Sequence, residues 1–169
     1  MRRLAALAWI AGIAWSQSAL AAEPGGCDGF KWPVARERAL LLAPDHTPLG
    51  AGSEITLPAA QAIRLTLLPA AEAKLPMPPE RAPKDGTFAG FVSVPAPPAG
   101  TLIVSMSSSA WIDVVQDGHF LKPASFSGAT GCDGLRKTMK FSLRPHPATI
   151  QISGVRDPFI SIALSAPAE

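Results

Sequence analysis

The chain predicts an all-β fold, an antiparallel β-sandwich of about eight strands, and three observations carry that expectation. Eighteen prolines and fourteen glycines in 169 residues interrupt the chain too often for long helices and favour short strands joined by turns. The second half contains six short segments rich in β-branched residues and bounded by turn residues. Within those segments apolar side chains recur at period two, so each presents one apolar face that only a facing sheet can cover.

The elements follow in order from the N-terminus. Arg2 and Arg3, the apolar run Leu4 to Trp15 and the small residues Ala19-Leu20-Ala21 have the layout of an export signal over residues 1–21. The run is shorter than the roughly 20 apolar residues a stable span needs. Residues 22–169 are then expected to form a single β-sandwich domain, periplasmic or secreted, with no membrane span after signal cleavage. Residues 36–43, Arg-Glu-Arg-Ala-Leu-Leu-Leu-Ala, have good helix propensity. Their place in a β chain favours a strand equally, so one short helix near residues 35–43 is allowed, and Pro33 and Pro44 limit either element. Ser53 to Leu57 reads as a short strand and Ala62 to Leu68 as a longer one. Leu75 to Pro83 is proline-rich and reads as an exposed, partly extended connection.

From Phe88 the strands are clear: Phe88 to Val94, Thr101 to Met106, Trp111 to Gln116, Thr138 to Leu143, Thr149 to Ser153 and Phe159 to Leu164. Leu102, Val104 and Met106 share one face, as do Met139, Phe141 and Leu143, and Ile150 and Ile152. Asp117-Gly118 is a hairpin turn, because Gly accepts positive φ and Asp bonds within its own turn. It should fold Trp111 to Gln116 against the residues that follow His119.

Cys27 and Cys132 each lie within Gly-Cys-Asp-Gly. A lone pair of cysteines behind an export signal reads as a disulfide. Glycine and aspartate would present each cysteine on a tight turn. A metal held by both thiolates with Asp28 and Asp133 is the rival, but no further Cys or neighbouring His completes a tetrahedral set.

Charge narrows the partners. Of 15 basic residues, Arg2 and Arg3 fall in the export segment, leaving 13 against 13 acidic ones. No basic run remains for phosphate neutralisation, so nucleic acid is not an expected partner. The cluster Arg136, Lys137 and Lys140 reads as a solvated strand face rather than an anion site.

Candidate chemistry is sparse, and no catalytic residue or cofactor is expected. His46, His119 and His146 are the three histidines, scattered and each near turn residues. They are the weak candidates for a metal set, and Met77, Met106 and Met139 do not lie beside them in sequence. Ser105 and Ser107 to Ser109 form a serine-rich turn without the Gly-x-Ser-x-Gly elbow of a nucleophile. Asp113, compared with Asp85, Asp117 and Asp157 as a catalytic or calcium carboxylate, has no EF-hand spacing around it. In a strand it lies opposite Ile112 and Val114, facing solvent or capping a neighbouring backbone. Trp32 and Trp111 are candidate ligand-binding residues, since indoles stack on sugars and other flat ligands, although core packing accounts for them as well.

The second half, with Thr101-Leu-Ile-Val-Ser-Met, Trp111-Ile-Asp-Val-Val-Gln-Asp-Gly and Lys140-Phe-Ser-Leu-Arg-Pro-His-Pro-Ala-Thr-Ile-Gln-Ile-Ser-Gly, resembles jelly-roll modules of the pre-peptidase C-terminal and carbohydrate-binding type. That resemblance implies a module that binds or positions partners. The whole chain after the signal, through Cys27-Asp-Gly-Phe-Lys-Trp, Arg36-Glu-Arg-Ala-Leu, Ala110-Trp-Ile-Asp-Val and Cys132, is also similar to small exported bacterial proteins labelled homogentisate 1,2-dioxygenase. That label implies iron held by two His and a Glu, for which no clustered His and Glu stand here. The expectation is an exported periplasmic binding or accessory protein without catalytic activity, for a small molecule, a glycan or an envelope protein. The alternatives are a metal-dependent oxygenase or hydrolase using His46, His119 or His146, and a structural subunit of an envelope complex.

Overall fold

Strands that alternate apolar and polar side chains pair into two sheets whose apolar faces meet. The computed structural model describes residues 25–59 and 61–167; the export segment expected over residues 1–21 lies outside them. The strands are β1 (Thr47–Gly50), β2 (Ile63–Thr66), β3 (Leu68–Pro69), β4 (Phe88–Val94), β5 (Gly100–Met106), β6 (Trp111–Gln116), β7 (His119–Phe120), β8 (Ser125–Gly128), β9 (Lys137–Leu143), β10 (Ala148–Val155) and β11 (Phe159–Ser165). One sheet runs in the order β1-β2-β11-β5-β9-β8 and the other β3-β4-β10-β6-β7. From β4 to β6, and again from β9 to β11, consecutive strands alternate between the sheets, so both sheets are built from chain-distant partners.

The faces expected from period two are the ones that meet. Leu102, Val104 and Met106 of β5, Met139, Phe141 and Leu143 of β9, and Ile150 and Ile152 of β10 join Leu65, Val92, Val114, Ile160 and Ile162 in one central core. A second, smaller core lies on the outer face of the first sheet. Phe30, Val34, Leu41, Ala129, Cys132, Leu135 and Ala163 pack there beneath the helix α1 (Ala35–Leu42). Its axis of attachment is covalent: Cys27 and Cys132 form a disulfide across 105 residues, as expected. Gly26 N–H to the Thr130 carbonyl at 2.7 Å and Lys31 N–H to Ser127 Oγ at 3.0 Å reinforce that attachment. A disulfide fits an oxidising compartment, and no helix among the described residues is long and apolar enough to cross a membrane.

Several expectations need correction. Among the described residues there are eleven strands rather than about eight, because short edge pairings add to the longer ladders. The sandwich is not wholly antiparallel: β1 pairs with β2 in parallel, Thr47 opposite Ile63. Ser53 to Leu57 forms no strand. Only Glu54 bridges Ser93, since the segment crosses an edge that β4 offers for one or two bonds. Residues 62–68 split into β2 and β3: the Leu67 N–H turns away to the Pro158 carbonyl, and Leu68 pairs in the other sheet. Residues 35–42 are helical, with Glu37 and Leu41 one turn apart and both buried against the sheet. Glu37 is tolerated there because its carboxylate accepts the Ser165 hydroxyl at 3.0 Å.

The proline-rich segment is extended, as expected, but only partly exposed. Leu75, Met77 and Pro79 are half-buried while their neighbours Pro76, Pro78 and Glu80 are exposed. The segment therefore lies extended across the outer face of the second sheet, as a strap. Gln151 of β10 holds it by accepting Met77 N–H at 2.8 Å and donating to the Met77 carbonyl at 3.1 Å. Asp113 of β6 accepts Glu80 N–H at 3.2 Å. Gln151 and Asp113 are paired across β10 and β6, so the strap explains why a strand face that reads as polar is buried.

Candidate functional site

The strap ends beside Trp111, the first residue of β6. Ile112 and Val114 point into the central core, which puts Trp111 and Asp113 together on the outer face. The indole Nε1 donates to Asp113 Oδ1 at 2.7 Å, fixing the ring against the sheet. Asp113 is only 3 % exposed. Burial pushes its carboxyl above the ordinary value, and the hydrogen bonds from Trp111 and Glu80 N–H act against that shift. Of the two placements expected for Asp113, capping a neighbouring backbone is the one seen, and solvent exposure is not.

Trp111 walls a groove of about 640 Å³. The strap contributes Arg81 and the residues just beyond it Lys84, the serine turn after β5 contributes Ser108 and Ser109, and the stretch at the start of β9 contributes Arg136 and Lys137. On β10 the ladder to β4 shifts between Ile152 and Val155, where Gly154 takes a φ of 71°. This bulge brings Ser153 and Gly154 to the groove, and the turn beyond it adds Arg156 and Asp157. Arg81 and Lys137 stand 5.8 and 5.5 Å from the indole centroid, within range of attraction to its π-face.

Trp32 is elsewhere. It packs half-buried on the smaller core, with Lys140 Nζ 4.4 Å from its ring centroid, and it does not line the Trp111 groove. The two candidate tryptophans therefore do not form one surface. The cluster Arg136, Lys137 and Lys140 is divided in the same way, its first two members at the groove and its third over Trp32. A separate apolar pocket of about 280 Å³ opens at the sandwich end near Leu57, Leu102 and Leu143.

The histidines are also divided. His46 is half-buried with Nδ1 3.1 Å from Ser161 Oγ. His146 contacts both Asp117 carboxylate oxygens at 3.1 Å, and Arg144 donates to Asp117 at 2.5 Å. The Asp117 carboxyl is held below its ordinary value, first by the His146 hydrogen bond and then by the charges of His146, Arg144 and His119. His119 and His146 thus share the neighbourhood of one hairpin turn, and His46 does not. Among the described residues no group of three or more His, Cys, Asp or Glu could hold a metal ion.

Trp111 is legible in the sequence, and Arg136 and Lys137 are singled out there as a solvated face, but the other cations of the groove are not. Arg81, Lys84 and Arg156 sit singly on turns, and only the strap and the β10 bulge bring them together. The serine turn, which carries no nucleophile elbow, supplies part of the wall. No protein-family model matches the chain, and no curated protein matches it.

Proposed function

We propose that the protein is an exported, periplasmic binding or accessory protein whose ligand surface is the Trp111 groove. The observation that carries this reading is the indole itself, half-buried, oriented by Asp113 at 2.7 Å and set in the wall of a groove of about 640 Å³. Sites that hold small molecules commonly have this size and combine an apolar ring with a few converging polar groups. The strand orders β2-β11-β5-β9 and β4-β10-β6-β7 support reading the sandwich as a jelly roll, an architecture shared by lectin-like modules. The disulfide supports export.

The test is native mass spectrometry of protein isolated from the cell envelope. A bound small molecule, released on denaturation and missing from Trp111→Ala, is the expected result. Protein that carries no such molecule, or a Trp111→Ala variant that carries the same one, contradicts the reading. A second reading, a subunit of an envelope complex, is favoured by Phe126, which is 57 % exposed on the edge strand β8. It predicts a periplasmic crosslink from β8 to one partner and no bound small molecule.

A further inference from the structure

The groove is more cationic than the chain. Five of its lining side chains are Arg or Lys and one, Asp157, is a carboxylate, whereas the chain beyond the export segment carries equal numbers of basic and acidic residues. Folding therefore gathers like charges from three separate segments, against their mutual repulsion. Asp113 lies beneath the indole and does not line the groove, and its oxygens are engaged by Trp111 and Glu80 N–H. Arg81, Lys84 and Arg156 form no ion pair among the described residues. All three are exposed and line the groove that Trp111 walls, and the Arg81 guanidinium stands 5.8 Å from the indole centroid.

We propose that the Trp111 groove takes a small ligand bearing two anionic groups, with its acid groups on Arg81, Lys84 and Arg156 and its body along the indole edge of Trp111. Guanidinium groups match carboxylate, sulfate and phosphate oxygens through paired N–H donors, and Lys adds a point charge. Ser108, Ser109 and Ser153 supply hydroxyls for a ligand that also carries neutral oxygens. A groove of this volume admits a molecule the size of a disaccharide. The cations on the rim also raise the local concentration of an anion before contact. This inference rests on the groove being the ligand surface, and it adds the charge class of what enters.

Isothermal titration calorimetry on the purified protein tests it with three probes: inorganic pyrophosphate, digalacturonate and the neutral galactobiose. Saturable binding of pyrophosphate or digalacturonate is expected. Raising the salt from about 50 to about 300 mM should weaken it several-fold, because the contacts are exposed and screened. Arg81→Gln with Arg156→Gln should weaken it about tenfold or more. Lys84→Gln alone should weaken it by a smaller factor, which keeps the test decisive if the double variant is poorly folded. Pyrophosphate and digalacturonate arms separate a phosphate ligand from an acidic sugar. Absence of binding by both anions overturns the inference, as does binding that none of the three substitutions changes. Galactobiose binding with an affinity indifferent to salt and to these substitutions also overturns it, while leaving the groove as a binding site; a native ligand lost in Trp111→Ala decides that second question separately.

Discussion

Replacing both Cys27 and Cys132 by serine should cost about 4.7 kcal/mol of stability if the cross-link acts through the unfolded chain. The magnitude follows from the 105 residues between the sulfurs, which fix the loop-closure entropy that the oxidised unfolded chain has already lost. Domains of this size are stable by about 5–15 kcal/mol, so the loss is a third of the total or more. The folded state should change little, because Gly26 N–H to Thr130 and Lys31 N–H to Ser127 Oγ still dock the N-terminal segment on β8. Phe30, Val34 and Leu135 still fill the smaller core. Guanidinium unfolding of the oxidised protein and the double serine variant, followed by circular dichroism, measures the difference. The m-value should rise, since the unlinked chain expands further. A loss below about 1 kcal/mol with an unchanged m-value would refute the reasoning and reduce the disulfide to a local clasp.

Gln151→Ala removes both side-chain bonds to Met77, so the strap over residues 75–83 should loosen at a cost of about 2 kcal/mol; faster amide exchange there, with β5 and β9 unaffected, is the readout. Gly134→Ala forces a φ of 78° on a residue with a Cβ and brings that Cβ to 2.6 Å from Leu42 Cδ2. Thermal unfolding should show a loss above the about 1–2 kcal/mol that the left-handed backbone alone costs, whereas Gly118→Ala, with nothing within 4 Å of its Cβ, should lose only that backbone part. The lowered Asp117 carboxyl contributes stability that is present above its ordinary value of 3.8 and lost as pH falls through its lower folded value. Asp117→Asn should therefore flatten the acid side of the stability profile below pH 3.8. Asp113 has the opposite sign: its raised carboxyl contributes stability present below 3.8 and lost as pH rises through its folded value, a slope that Asp113→Asn should remove.

The two sheets were legible because their strands obey period two without exception where it matters: Leu102, Val104 and Met106 could face inward only together. The hairpin at Asp117-Gly118, with φ of 51° and 73°, and the disulfide were legible for equally local reasons. Strands β1 and β8 were not, because Thr-Pro-Leu-Gly and Ser-Phe-Ser-Gly carry no alternation, and their pairing is decided by the edges of β2 and β9. Helix α1 was ambiguous in the sequence, and it is the outer face of β11, with Ala163 and Ser165, that takes Leu41 and Glu37 on one side. The strap was legible from its prolines as an extended connection but not in what it covers. The partners that bury it, Asp113 and Gln151, lie on strands 33 and 74 residues away. The groove depends on that same strap, so the part of its lining that Arg81, Ala82 and Pro83 supply was invisible in the sequence while Trp111 was not.

If Trp111 walls an anion-binding groove, as proposed, the indole N–H resonance of that residue is its most direct reporter. In a ¹⁵N–¹H spectrum, titration with digalacturonate or pyrophosphate should shift the Trp111 indole and the Ser108, Ser109 and Gly154 amides along one saturating curve, leaving the Trp32 indole in place. Binding that moves Trp32 or the β8 amides while the Trp111 signal stays fixed would contradict it.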